Sequence, residues 1–120
     1  MQVASTPIPT ASPEIIGLPV RDGFLLTNLD NIIHCHSDGN YSTVYLNNSN
    51  AVTITRKLKE LEEALPSRFF IRVHHSHIVN LKHVKKYLKQ CGGQLLLSNC
   101  QVVDVSRRKR QALLDRLIIL

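Results

Sequence analysis

Short apolar runs separated by turn residues dominate the chain from Glu14 onward. Strand-like runs at 15–20 and 24–28 flank Asp22-Gly23, a hairpin signal. Runs at 31–35 and 41–46 flank Ser37-Asp38-Gly39-Asn40, a polar turn of type I′ or similar kind in which Gly39 supplies a positive φ. Asn47-Asn48-Ser49-Asn50 makes a further turn before a strand at 52–55. The period then changes. Over 56–65 the apolar residues are Leu58, Leu61 and Leu65, spaced three and four apart, which predicts a helix with one apolar face. Thr55 serves as its cap and Pro66 as its stop. Four more strands follow at 69–74, 84–89, 94–97 and 102–105, with turns at Cys91-Gly92-Gly93 and Ser98-Asn99. Ser106 then caps a final helix at 107–117 that buries Leu113, Leu114 and Leu117. The pattern predicts a mainly β protein of eight or so short strands in small antiparallel sheets, with one internal and one C-terminal helix.

A length of 120 residues suits one domain. Residues 1–13, with Pro7, Pro9 and Pro13 among Ser, Thr and Ala, read as a linker or disordered arm, leaving 14–120 as the domain. The opening lacks the basic start and apolar core of a signal peptide, and no apolar run approaches the ~20 residues of a membrane span. A cytoplasmic protein without a membrane partner is expected. Three cysteines, Cys35, Cys91 and Cys100, form no CxxC pair, so they read as reduced thiols; a redox pair of Cys91 with Cys100 is the minority alternative. There is no βαβ alternation, no GxGxxG and no GxxxxGK[ST], which excludes nucleotide-binding α/β folds; no cofactor is implied.

Charge sharpens the picture. Residues 1–55 carry one Arg against four acids, and residues 56–120 carry fourteen Lys and Arg against five acids, within a net charge of +6. An anionic partner is the natural counterpart. The run Ser106-Arg107-Arg108-Lys109-Arg110 puts cations at a helix N-terminus, where they oppose the macrodipole. Phosphate would satisfy both the side chains and the free N–H groups there, and the planar fork of Arg107 suits guanine O6 and N7.

The densest polar cluster is Arg72-Val73-His74-His75-Ser76-His77, with His34 and His36 earlier in an H-x-H arrangement. Ile71 and Val73 alternate with Arg72 and His74 as in a half-buried strand, after which His75, Ser76 and His77 are read as loop. His74 then braces the turn, while His75, Ser76 and Asn80 offer donors and acceptors for a base edge or phosphate. Zinc is the competing reading, but a zinc site needs ligands converging on one point, and consecutive His74 and His75 point apart in an extended chain. Ser76 lies between histidines without a G-x-S-x-G elbow or an orienting acid, so no enzyme is expected. A third reading, a protein-interaction module, rests on the apolar end Leu117-Ile118-Ile119-Leu120, otherwise expected to finish helix packing.

Gly39-Asn40-Tyr41, Lys57-Leu58-Lys59-Glu60-Leu61-Glu62, the F-x-R-x-H-x-S-x-x-V-N string from Phe70 to Asn80, and Val105-Ser106-Arg107 occur in this order. Together they resemble the LytTR family of bacterial DNA-binding domains over about residues 14–117. The resemblance implies an elongated stack of three small antiparallel sheets whose loops enter successive major grooves of double-stranded DNA. By position it implies base contacts from Asn40, His75 and Arg107. Phosphate contacts would come from Ser76, Arg108, Lys109 and Arg110, and structural roles would fall to Gly39, Tyr41, Arg72, His74 and Asn80. His75 departs from the family's usual long polar residue there. The resemblance further implies transcriptional control at promoter direct repeats, as the output domain of a two-component response regulator, with an upstream receiver domain and dimerisation on DNA. The Pro/Ser/Thr arm fits an interdomain linker, so the sequence reads as an excised output domain or a short stand-alone regulator.

Overall fold

Pairing of distant strands organises the protein, whose computed structural model describes residues 14–120. The linker read at 1–13 lies outside the described residues. The strands are β1 (Ile15–Val20), β2 (Gly23–Asn28), β3 (Ile32–Asp38), β4 (Tyr41–Leu46), β5 (Ala51–Ile54), β6 (Phe70–His74), β7 (His77–Asn80), β8 (Val84–Leu88), β9 (Gln94–Leu97) and β10 (Val102–Asp104). The helices are α1 (Leu58–Ala64) and α2 (Arg107–Leu114). They form a β1-β2 hairpin, a five-stranded sheet of order β5-β4-β3-β7-β6, and a three-stranded sheet of order β10-β9-β8. All pairs are antiparallel. The expected class, three antiparallel sheets with two helices, is the one observed.

The five-stranded sheet is covered on both faces. On one side Cys35, Val44, Ile54 and Ile78 pack with Leu58 and Leu61 of α1, with Leu65 at its C-cap and with Leu18 of β1. On the other, Val73 and Val79 pack with Leu95 and Leu97 of β9, Val103 of β10 and Leu113 of α2. Each such side chain contributes roughly 1.5–3 kcal/mol by leaving water. Central β3 is therefore buried continuously from Ile32 to Cys35 and does not alternate. Its ladder with β4 shifts register between Ile32 and His34, and that of β6 with β7 shifts between Arg72 and His74. A bulge of this kind turns the extra residue, Ile33 or Val73, toward the second core.

Several boundaries differ from the sequence pattern. His77 is not in the loop but starts β7, because it pairs with His36 on one side and His74 on the other. This short strand is hidden in the sequence by its polar first and last residues. The first hairpin turns at Arg21 and Asp22, since Gly23 already pairs with Val20. Lys57, not Thr55, is the N-cap of α1, and its N–H donates to Glu60 Oε1 (3.4 Å). Helix α2 stops at Leu114, so Leu117 is only half-buried and Ile118, Ile119 and Leu120 stand exposed instead of finishing the packing.

Asn80 locks the centre. It is 1% exposed, its amide donates to Ile32 O (2.9 Å), and its carbonyl oxygen accepts from Lys82 N–H (3.0 Å). Removing it strands the buried Ile32 carbonyl and frees the partly buried N–H of Lys82. Asn80→Ala should destabilise the fold by about 2–3 kcal/mol, seen as a lower urea midpoint with unchanged slope. A midpoint equal to wild type would refute this role.

Candidate nucleic-acid interface

Strand register brings three sequence-distant segments to one end of the five-stranded sheet. Strands β3 and β4 are joined by Gly39 and Asn40, where Gly39 has φ +70° and Asn40 does not share the positive φ. That combination fits a type II′ turn, within the type I′ or similar turn read from sequence. It leaves Asn40 exposed at the tip beside exposed Tyr41. His75 and Ser76 join β6 to β7, and His36 pairs with His77, so this turn projects from the same end. Ser37 N–H donates to Ser76 O (2.9 Å) and ties the two turns together. Ser106 N–H donates to Val73 O (2.8 Å), which fixes the start of α2 beside the end of β6. The Ser106 hydroxyl caps α2 by accepting from Lys109 N–H (3.3 Å), as the sequence predicts.

The middle turn is held by Arg72. Its Nη2 donates to His75 O (2.6 Å), its Nε to His74 O (3.4 Å), and its Nη1 to Glu62 Oε1 of α1 (3.0 Å). His74 completes the brace, because its Nδ1 accepts from Ser76 N–H (3.1 Å). His75 is left exposed, its carbonyl held and its ring free of the core. Between this turn and α2 lies a cleft of about 600 Å³ lined by Glu62, Arg72, His75, Ser106, Arg107, Arg108 and Lys109. His75 and Arg107 thus share one cationic cleft, while Asn40 stands outside its lining. Four of the seven lining residues are Arg or Lys, so the cleft suits a polyanion.

Arg110 is placed differently from its neighbours. Its guanidinium donates to the carbonyl of Gly92 in the β8–β9 turn, so it serves the fold rather than the cleft. Gly93 is confined there too, since a Cβ at its φ of +114° would meet the Tyr87 hydroxyl at 2.7 Å. Cys91 and Cys100 are exposed at opposite ends of β9, whose four residues alone span roughly 10 Å. A disulfide tolerates about 7 Å between Cα atoms, so the two cannot be bridged in this fold. Glu62 is the site residue that sequence reasoning missed: an acid on the polar face of a short helix carries no signal of its partner.

Five histidines crowd the same end of the sheet. His34 stacks on Tyr45 (ring centroids 4.4 Å) and His36 on His77 (4.9 Å). His77 approaches His74 (5.3 Å), which lies against His75 (4.3 Å). Among the described residues, no three His, Cys, Asp or Glu side chains are arranged to hold a metal ion. Burial is the main force on these rings, with mutual repulsion second. It pushes His34 and His77 down to about 4, with His77 and His36 acting on His34, and His36 and His74 on His77. Burial and His75 lower His74 as well. The Nδ1 atoms of His34 and His77 are buried without a protein partner. A neutral ring bears that far better than a cation does.

Comparison with known proteins bears on this geometry. The sequence profile of the LytTr DNA-binding domain matches residues 22–118. The chain is 35% identical over 74 residues to a CO-responsive transcriptional regulator, RcoM, of Rhodospirillum rubrum, covering 62% of this chain and 31% of that protein. It is 31% identical over 88 residues to a heme-containing CO-sensing transcriptional regulator, RcoM 2, of Paraburkholderia xenovorans, covering 72% of this chain and 32% of that one. The chain thus spans about a third of the length of these relatives. Among solved structures, a LytTr DNA-binding domain from Bacillus cereus superposes with a TM-score of 0.77 at 24% identity, over 90% of this chain and all of that one. At that identity the likeness concerns the fold.

The histidine cluster makes stability depend on acid. An unfolded chain protonates the imidazoles of His34 and His77 near 6.5 and the folded one only near 4, so the unfolded state binds more protons as pH falls between the two. Stability is full above 6.5 and declines toward 4. The contribution of His34 should be on the order of 2 kcal/mol lost between pH ~6.5 and ~5, measured by urea unfolding. His34→Phe keeps a ring on Tyr45 and should flatten the decline; equal stability of wild type at both pH values would contradict the account.

Proposed function

We propose how bases are read by this chain, which belongs to the LytTr family of DNA-binding domains and so serves DNA binding in transcription regulation. Asn40, His75 and Arg107 read base edges in the major groove, each from its own segment. Ser76, Arg108 and Lys109 hold phosphates. Arg110 is left out of that set, because one of its guanidinium nitrogens is held by Gly92 O and it does not line the cleft. The carrying observation is the shared cleft of His75 and Arg107, with the Asn40 turn projecting from the same end of the sheet. Arg107 and Arg108 are exposed at the capped start of α2, where an approaching phosphate also meets first-turn N–H groups.

The module acts as an output domain behind an upstream receiver domain, on direct repeats. Joining two modules through such domains raises the effective concentration of the second copy on DNA. The relatives support a module of this size within a longer regulator, since the matched stretch is about a third of each.

Selection of duplexes from a random pool supplies the operator and tests the reading in one step. On the selected site, Arg107→Ala should cost about 1–3 kcal/mol and relax preference at one base pair. Lys109→Ala should weaken all sequences alike and reduce the salt slope by about one. Equal affinity of wild type for selected and scrambled duplexes would overturn base readout.

A further inference from the structure

A carboxylate in a cationic cleft needs an explanation. Glu62 lines the space between the His75 turn and the start of α2, where any bound polyanion would lie. Its charge there repels phosphate and weakens binding to every sequence alike. It does little for the hydrophobic core either, since Leu58, Leu61 and Leu65 are the residues of this segment that enter it. What Glu62 does touch is Arg72, through Oε1 and Nη1 at 3.0 Å, with the arginine side chain 22% exposed and the glutamate 44%.

Arg72 in turn spends its other two nitrogens on the carbonyls of His74 and His75. These two bonds fix the backbone from which the His75 ring projects. A guanidinium at the edge of a cleft that receives phosphates has a competing use, because phosphate is a better acceptor for it than a peptide carbonyl. From this geometry we infer that Glu62 is a specificity-determining positioning residue: it holds Arg72 on the His75 turn and keeps it from becoming a phosphate clamp. The inference rests on the DNA-reading role given above for His75. It assigns Glu62 a cost in general affinity in return for discrimination. With Glu62 neutral, Arg72 swings toward DNA, the two carbonyl bonds loosen, and His75 loses its fixed aim.

The roles separate by sign. If Glu62 merely repelled phosphate, Glu62→Gln would tighten binding to selected and scrambled duplexes equally. If it holds Arg72 on the turn, the same variant binds the selected duplex about three- to tenfold more weakly, while binding to the scrambled duplex is unchanged or tighter. The scrambled salt slope steepens by up to about one, reflecting one more phosphate contact. Arg72→Lys, which keeps the charge but not the fork, should lower the selected-to-scrambled ratio likewise. The double variant should lose no more than the larger single effect.

A readout free of DNA stands beside these. Ser76 N–H is bonded inside the turn to His74 Nδ1, so its hydrogen exchange reports the order of the turn in the free protein. Glu62→Gln should accelerate exchange at Ser76 by about threefold or more without changing exchange at Val79 in β7. Unchanged Ser76 exchange, or equal changes in affinity for both duplexes, would overturn the inference. A wild type without discrimination would overturn the base-reading role instead, and the exchange measurement would still judge the clamp.

Discussion

Pairing of β3 with β7 is the constraint on which the rest depends. His34, Cys35 and His36 meet Val79, Ile78 and His77 across more than forty residues of chain. Once that register is set, the turns after β3 and before β7 must leave the sheet at the same end. Both faces of β3 are then covered, by α1 and β1 on one side and by β9, β10 and α2 on the other. Asn80 secures the far end of β7 against Ile32, and Ser37 secures the near end against Ser76. This end is therefore held firmly because it is the end of a sheet covered on both faces, and loops on such a scaffold can present side chains with defined aim.

Rigidity at that end carries a charge problem. Cations are needed outside for phosphate, while several histidines lie in or beside the sheet beneath them. The protein resolves this at two of the rings: burial holds His34 and His77 at about 4, far below the range in which exposed imidazoles charge. Positive charge is left to the Arg and Lys side chains of the cleft. Glu62 belongs to the same economy of charge, taking up one Arg72 nitrogen while the other two hold the turn.

Much of this was legible in the sequence for definite reasons. Leu58, Leu61 and Leu65 at helical spacing have one solution, and they form the buried face of α1 and its C-terminal cap. Ser106 before a basic run announced a cap, and the cap bond is there, with Arg107, Arg108 and Lys109 lining a cleft. Asn40, His75 and Arg107 stood out because turns and special residue types coincide at each. What the sequence concealed is non-local. His77 was read as loop because its strand is only four residues long and begins with a polar ring that packs on His36. The alternation of Ile71 and Val73 holds, since both pack in the second core, and what the sequence did not show is the register shift between Arg72 and His74. Arg110 looked like Arg108 by composition, and only the fold reveals that Gly92 O takes it. Glu62 and Arg72 are ten residues apart on different elements, a relation that no local pattern encodes.

The central claim is that the sheet end carrying the turns at Asn40 and His75, together with the start of α2, is the surface that meets DNA. Titration of the isotopically labelled protein with its selected duplex, followed by backbone amide NMR, addresses this directly. The largest shift changes should fall on residues 39–41, 74–76 and 106–109, with Phe24 and Leu26 on the β2 hairpin unmoved. Changes concentrated on the hairpin, or on the exposed C-terminal residues Ile118 to Leu120, with these three segments silent, would contradict the account.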